Sequence, residues 1–336
     1  MKSSLTISVI IPVYNGGDAF QKCLASFKES HRLPDEIIVV SDADTDGSWQ
    51  VAKAFGAKVL RLLTNGGPAR ARNRGANIAQ GDILFFMDAD VILCRDTLAL
   101  IEERFQQDPN LAALIGSYDD EPGASNFLSQ YKNLFHHYTH QTSSEIASTF
   151  WGACGAVRRQ AFCAVGGFDE RYRDPCIEDI ELGYRLKQSG YFIRLCKDIQ
   201  VKHLKHWKPL SLLKAEIFYR AIPWAELLLT RRYRDTGLNL NYTSRLSVVL
   251  TFTLLASLGL TLFMPWLFWV DLALSLGLLG LNFDVYRFFH NKRGLFFALR
   301  VVPWHWFYFL YGGGAFAYSL FKYSFSRLKL DTGVYP

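Results

Sequence analysis

The stretch Ile83-Leu84-Phe85-Phe86-Met87-Asp88-Ala89-Asp90 runs five apolar residues straight into two carboxylates, and a second apolar run follows. Five consecutive apolar residues of this kind read as a strand buried on both faces. Three further β-rich runs precede it, at 7–13, 36–40 and 58–62. Helix-like patterns link them: one around Leu24 and Phe27, one over 49–55 and one over 69–79. A βαβαβαβ order implies an α/β domain with a mostly parallel sheet and helical crossovers. In such sheets ligands gather beyond the carboxyl ends of the strands. That rule singles out Tyr14-Asn15-Gly16-Gly17, the acidic stretch 41–48 and Asp88-Ala89-Asp90.

Each of these clusters carries chemistry that can be read from residue type. In an extended chain, alternation sets Asp88 and Asp90 on one side, where like charges repel unless a cation lies between them. Oxygen ligands favour Mg2+ or Mn2+, with coordination positions left for diphosphate oxygens. At Pro68-Ala69-Arg70-Ala71-Arg72-Asn73-Arg74-Gly75, a Gly-Gly-Pro turn opens a helix with arginines at alternate positions. Helix N-termini and arginines both favour phosphate, but arginines two apart point in different directions, so one or two reach a ligand. Further on, Asp179, Leu182 and Leu186 share one face of a helix, with the carboxylate in its first turn. There the helix N-terminus favours the anion while partial desolvation raises its basicity, as a catalytic base requires. An ordinary N-terminal helix charge is the alternative reading of Asp179.

At 336 residues the chain has room for a domain plus an attached module. From 246 to 283 only Asp271 carries a formal charge, and 246–264 and 266–283 are each long enough to span a bilayer, with Pro265 between them as in a hairpin. The expected organisation is 1–207, 208–245 and 246–336. The middle piece mixes Leu212, Phe218 and Trp224 with basic residues, as either an interfacial amphipathic segment or a helix packed on the preceding domain. A third apolar segment, 301–321, lacks Asp, Glu, Lys and Arg but contains Pro303, His305 and Gly312-Gly313-Gly314. It reads as a full span or as a re-entrant segment. The net charge of +6 is concentrated near the tail, in residues such as Lys205, Lys214, Arg220, Arg232 and Arg234. Anionic lipids are the expected partner, and no nucleic-acid-binding motif accompanies the charge. The run 7–13 is short and contains Pro12, unlike a secretory signal, so the first unit is expected in the cytoplasm. The six cysteines are scattered and read as reduced thiols.

Taken in order, Val9-Ile10-Ile11-Pro12-Val13-Tyr14-Asn15, the run 42–48, Ala71-Arg72-Asn73, the run 81–90, Gly166-Gly167-Phe168-Asp169-Glu170 and Glu178-Asp179 resemble the family-2 inverting glycosyltransferases. The resemblance covers about residues 6–205. It implies a GT-A fold, a Rossmann-like and mostly parallel sheet, followed here by amphipathic and transmembrane helices. It also implies a nucleotide-sugar donor, UDP- or GDP-linked, with Mg2+ or Mn2+. Pro12, Tyr14 and Asn15 would line the nucleotide pocket, and Arg72 would approach base or phosphate. Asp42, Asp44 and Gly152 complete the donor set. Asp88 and Asp90 would hold ribose and metal with His203 on the metal side, and Asp179 would be the catalytic base with Glu178 beside it.

The chain departs from the family pattern in two places. The usual Asp-Asp-Gly-Ser is Ser41-Asp42-Ala43-Asp44, so Ser41 stands where an acid commonly reads the nucleobase, and the base is unassigned. The Gln-x-x-Arg-Trp signature of processive synthases is absent, with His203-Leu204-Lys205-His206-Trp207 in its region, which favours single addition. The implied function is inverting, metal-dependent transfer to a lipid or lipid-linked acceptor at the cytoplasmic membrane face. Two alternatives are a nucleotidyltransferase of similar fold, which would release pyrophosphate, and a non-enzymatic membrane-bound nucleotide-binding protein.

Overall fold

The strands are Ile7–Val13 (β1), Glu36–Asp42 (β2), Lys58–Leu62 (β3), Ile83–Met87 (β4), Val91–Leu93 (β5), Leu111–Tyr118 (β6), Cys154–Arg158 (β7) and Phe192–His203 (β8). They form one sheet in the order β3-β2-β1-β4-β7-β6-β8-β5. Pairings β2–β3, β1–β2, β1–β4 and β6–β8 are parallel, while β4–β7, β6–β7 and β5–β8 are antiparallel. The helices of this part are Gly17–Ser26 (α1), Ser48–Phe55 (α2), Gly67–Ile78 (α3), Thr97–Gln107 (α4), Phe127–Thr142 (α5), Arg159–Ala164 (α6) and Glu178–Gln188 (α7). This is a computed structural model, and it describes residues 5–231 and 241–331; the expected basic residues Arg232 and Arg234 lie outside them.

The first strands are apolar on both faces because both faces are covered. Val9, Ile11 and Val13 of β1 and Phe85 and Met87 of β4 pack with Phe20 and Leu24 of α1. The alternate residues, Ile10, Leu84 and Phe86, pack with Ala69, Ala71 and Ala76 of α3. Each face removes its apolar area from water, and this burial is the main force holding the sheet between its helices.

Strand direction then decides which residues meet. β1, β2 and β4 run parallel, so Tyr14, the loop after Asp42 and Asp88 emerge at one edge. Antiparallel β7 starts at that edge, with Cys154 opposite Met87, which brings Gly152 beside Asp88. β6 and β8 end there too, and Val91 of β5 pairs with His203, so Asp90 and His203 are neighbours across a strand pair.

The chain divides into two units, Met1–Lys208 and Pro209–Pro336. The second is helical: Pro209–Lys214 (α8), a π-helical stretch Ala215–Ala221, Ile222–Arg231 (α9), Tyr242–Thr261 (α10), Phe268–Leu281 (α11), Phe283–Arg293 (α12) and Leu295–Asp331 (α13). Helices α10 and α11 run antiparallel: Thr261 Oγ1 donates to Asp271 Oδ2 (2.6 Å) and Asn282 Nδ2 to Ser247 Oγ (2.9 Å). Among the described residues, α10 is the one helix long and apolar enough to cross a bilayer, and 265–281 with α12, bent by 63°, adds a second if taken as one span. The segment 301–321 lies inside α13, and its glycines do not break that helix. Gly313 serves packing instead, since a Cβ there would meet Phe252 and Val248 of α10 at 2.6 Å. Leu212 and Trp224 of the middle segment are buried, whereas Leu210 and Phe218 are exposed.

Candidate active site

Arg72 is the hub of the carboxyl edge. Of the three arginines on α3, Arg74 is exposed and Arg70 half-buried, while Arg72 is 4% exposed. Its Nη1 donates to Glu178 Oε1 and its Nη2 to Asp88 Oδ1, both at 2.7 Å, and its guanidinium lies 5.4 Å over the Phe168 ring. Burial disfavours its charge, but Asp88, Glu178 and Asp179 outweigh that and raise its pKa. Arg72 is expected to approach base or phosphate; in the structure two of its donors meet Glu178 and Asp88, while its Nε is buried with no hydrogen-bond partner among the described residues. Glu178, expected beside the base as a catalytic group, is 4% exposed and accepts from Arg72 and from the Cys176 backbone N–H (2.9 Å). A carboxylate so enclosed serves as Arg72's counter-ion and positions its neighbours.

Asp179 differs from Glu178 in exposure, being half-buried. Its Oδ2 accepts from the Gly152 N–H at 2.9 Å and its Oδ1 from the Ile180 N–H at 2.8 Å. Two glycines permit this. At Gly183 a Cβ would lie 2.1 Å from the Phe150 nitrogen, so only glycine lets α7 press against the 149–150 backbone. At Gly152 a Cβ would lie 2.9 Å from Arg72 Cζ. Gly152 thus touches the machinery through its backbone, between the hub and the carboxylate.

The expectation that Asp88 and Asp90 share one side does not hold. The chain turns after β4, with the Val91 N–H donating to Asp88 O (3.3 Å), so strand alternation ends at Met87. Asp88 faces Arg72. Asp90 Oδ1 lies 3.6 Å from His203 Nε2, and Asp90 Oδ2 lies 3.6 Å from Lys205 Nζ. Burial works against ionisation of Asp90, but His203 and Lys205 outweigh it and hold the carboxyl well below the usual range. His203 stacks on Tyr118, with ring centroids 4.5 Å apart, and its Nδ1 meets Asn133 Oδ1 at 2.8 Å. Because the amide oxygen only accepts, Nδ1 is the donor of that bond, which fixes the ring with Nε2 toward Asp90. Among the described residues no group of three or more His, Cys, Asp or Glu side chains is arranged to hold a metal ion. The expected trio of Asp88, Asp90 and His203 reduces to Asp90 and His203 because Arg72 draws Asp88 away.

The loops after β1 and β2 are tied to each other. Asn15 and Ala43 have positive φ, 51° and 62°, the only non-glycine residues among those described to do so, and such strain concentrates at functional edges. Asn15 Oδ1 accepts from the Thr45 N–H (2.8 Å), and Asp46 binds the Gly17 N–H (2.9 Å) and Ser48. Burial opposes ionisation of Asp46, but those hydrogen bonds outweigh it and lower its pKa. Asp44 accepts from Ser41, the residue standing in place of the family's acid. Asp42, expected at the donor, is buried with its two oxygens on the Gly66 and Gly67 N–H groups at 2.9 and 2.8 Å. It caps α3 and holds the loop from below. Tyr14 is 57% exposed and Pro12 half-buried at the end of β1.

Helix α5 also lines this edge, with no motif in its sequence to mark it. Asn133 on this helix orients His203, while His137 and His140 meet the carbonyls of Tyr118 and Gly116 at 2.7 and 2.9 Å. Their i, i+4, i+7 spacing is a one-sided helical pattern that marks a polar docking face.

This arrangement, acidic loops at the carboxyl ends of β1, β2 and β4 and an acid-bearing helix entering the same edge, defines the GT-A class of nucleotide-sugar transferase folds. Residues 8–166 match the profile of glycosyl transferase family 2. An uncharacterized glycosyltransferase of Escherichia coli (strain K12), YibD, is 42% identical over 94 residues, covering 27% of each chain. The O-antigen chain rhamnosyltransferase WbaN of Salmonella anatum is 25% identical over 240 residues, 66% of this chain and 74% of that one. Among solved structures, the mannosyltransferase PcManGT of Pyrobaculum calidifontis, in complex with GDP-Man and Mn2+, matches with a TM-score of 0.56. That match covers 94% of this chain and 88% of that one at 17% identity, a likeness of fold. The family match takes in 159 of the 336 residues, and with the glycosyltransferase relatives it supports a family-2 glycosyltransferase of GT-A fold.

Proposed function

We propose that this glycosyltransferase carries out inverting, metal-dependent transfer from a UDP- or GDP-sugar to a hydroxyl of a lipid or lipid-linked acceptor at the cytoplasmic face of a membrane. The observation that carries the reading is the setting of Asp179: half-buried, held by the Gly152 N–H, and linked through Glu178 and Arg72 to Asp88. The Asp179 oxygens accept hydrogen bonds from the Gly152 and Ile180 N–H groups, which fix the orientation of the carboxylate. As base, Asp179 takes the proton of the acceptor hydroxyl while that oxygen bonds to the anomeric carbon. The bond from that carbon to the diphosphate oxygen breaks on the opposite face, and the leaving group keeps the electron pair. Attack and departure on opposite faces invert the configuration. Tyr14, Asn15 and the 43–48 loop receive the nucleoside, and Arg72 keeps donor edge and base in register.

Asp90 and His203 suit Mg2+ or Mn2+: a carboxylate beside an imidazole nitrogen, with the other ring nitrogen fixed by Asn133. Oriented second partners of this kind are usual for metal-binding histidines, and two protein ligands leave room for diphosphate oxygens. When bound, such an ion stabilises the negative charge that develops on the departing diphosphate.

The membrane assignment rests on polarity in the second unit. The buried residues of α10 are Ser247, Thr251, Leu254 and Ser257, while Val249, Leu255, Leu258 and Leu260 are exposed. Small and polar inside with apolar outside is the pattern of a helix solvated by lipid. The name of the Salmonella relative, an O-antigen chain rhamnosyltransferase, suits an acceptor from the cell envelope. The test is the full chain in detergent with Mn2+, a panel of UDP- and GDP-sugars and a solubilised lipid acceptor. Release of UDP or GDP with an inverted product supports the reading, and release of pyrophosphate refutes it.

A further inference from the structure

Asp90 is claimed by two groups at once. His203 Nε2 approaches one carboxylate oxygen and Lys205 Nζ the other, each at 3.6 Å. The two are differently held. His203 has 9% side-chain exposure and is fixed by Asn133 and Tyr118, whereas the Lys205 side chain is 49% exposed. The backbone under Lys205 is anchored on both sides: the Leu204 N–H donates to Asp90 O (2.8 Å), and the Trp207 N–H donates to Ser129 Oγ (2.7 Å). A lysine ammonium on a four-carbon stem can therefore move while its Cα stays in place. It lies 5.7 Å over the Trp207 ring, so its aliphatic stem has an apolar surface to follow.

We propose that Lys205 is an internal stand-in for the divalent cation. It neutralises Asp90 when no metal is bound, gives up that carboxylate when the metal enters beside His203, and turns its ammonium to the diphosphate of the donor. This rests on the metal-dependent reading above. It makes Lys205 a positioning residue that couples the two ligands: the cation alone meets a competitor, and the cation with a nucleoside diphosphate does not, because the ammonium gains a new partner. Metal and donor then bind better together than either does alone. Asp88 takes no part in this exchange, because its Oδ1 faces Arg72.

The test titrates Mn2+ into the full chain in detergent and follows the paramagnetic signal of the free ion, with no sugar transfer required. Lys205→Met keeps the stem and removes the charge, and Lys205→Arg keeps the charge. Without nucleotide, Lys205→Met should bind Mn2+ roughly two- to fivefold more tightly than wild type, the scale of a half-exposed ion pair. Lys205→Arg should stay close to wild type. At saturating Mn2+, Lys205→Met should bind UDP or GDP several-fold more weakly. Unchanged or weaker Mn2+ binding by Lys205→Met overturns the exchange while leaving a metal-dependent enzyme intact. A wild-type chain that binds no Mn2+ even with UDP or GDP present removes the metal-dependent reading and the exchange with it.

Discussion

Replacing Arg72 with methionine tests whether this arginine is the hub of the site. Its side chain is 5% exposed, as is that of Glu178, and the two meet at 2.7 Å. In Arg72→Met, Glu178 keeps only the Cys176 N–H among the partners described above and remains buried with its charge. Removing one member of a buried pair costs about 3–5 kcal/mol, mostly the penalty of the stranded charge. For a unit of this size each kcal/mol shifts the melting temperature by about 2–4 °C, so a loss of roughly 6–20 °C is expected. Asp88, with 35% side-chain exposure, can recover solvation and adds little. The double variant Arg72→Met/Glu178→Met removes the stranded charge and should regain most of the loss, since apolar replacements of buried pairs are often neutral. Neither variant should regain transfer, because Asp88 and Asp179 lose their common support. Near-UV circular dichroism melts of the full chain in detergent, at one scan rate, read the stability. A single variant that melts within about 3 °C of wild type, or a double variant no more stable than the single, would refute the hub.

Asp179→Asn should retain UDP or GDP binding while turnover falls about 10²-fold or more, the usual loss for a general base; lost nucleotide binding with turnover preserved would place the base elsewhere. Asp119, after β6, has its pKa pushed up to about 6, by desolvation first, with Lys202 at 3.8 Å opposing. With a folded value above the ordinary 3.8, its stabilising contribution is complete below that value and is lost as pH rises through about 6. Asp119→Asn should therefore melt above wild type near neutral pH, with the gap closing as pH falls, and a constant gap would contradict the shift. In the second unit, Val249→Lys with Leu255→Lys puts charge on the exposed face of α10, at about 2.5–3.5 kcal/mol per lysine within a bilayer. Membrane fractionation should then show the chain leaving the membrane pellet, whereas on a water-facing helix the same changes would be harmless.

The strands were legible where burial on both faces imposed an apolar run, as over 7–13 and 83–87, and the edge strand 58–62, which is not buried, was legible from its β-rich residues. What escaped was pairing beyond β4. β7 begins at Cys154 within a Gly- and Ala-rich stretch, and β5 is three residues long. Such segments become strands because neighbours supply partners, not because of local pattern. In the site, position at a strand end led to Asp88 and Asp90, a helix face to Asp179 and the family resemblance to His203, but none of these to how they divide. Only a fold shows that Arg72 reaches both Asp88 and Glu178, residues separated from it by 16 and 106 positions.

That division reassigns work within the site. Sequence makes Glu178 and Asp179 look equivalent, two acids opening one helix, yet successive positions on a helix point about 100° apart. One side chain is turned inward to a guanidinium and the other toward the edge where Gly152 waits. A buried acid bound to an arginine is out of reach of a ligand, whereas a half-buried one can exchange a proton with a bound hydroxyl. The same logic separates Asp42 from Asp44: the first spends two oxygens on the α3 cap, while the second is half-exposed on the loop. In each pair the inner acid is spent on groups of the protein itself: Glu178 on Arg72 and the Cys176 N–H, Asp42 on the Gly66 and Gly67 N–H groups. An acid's burial, more than its place in a motif, therefore decides whether it can meet a ligand.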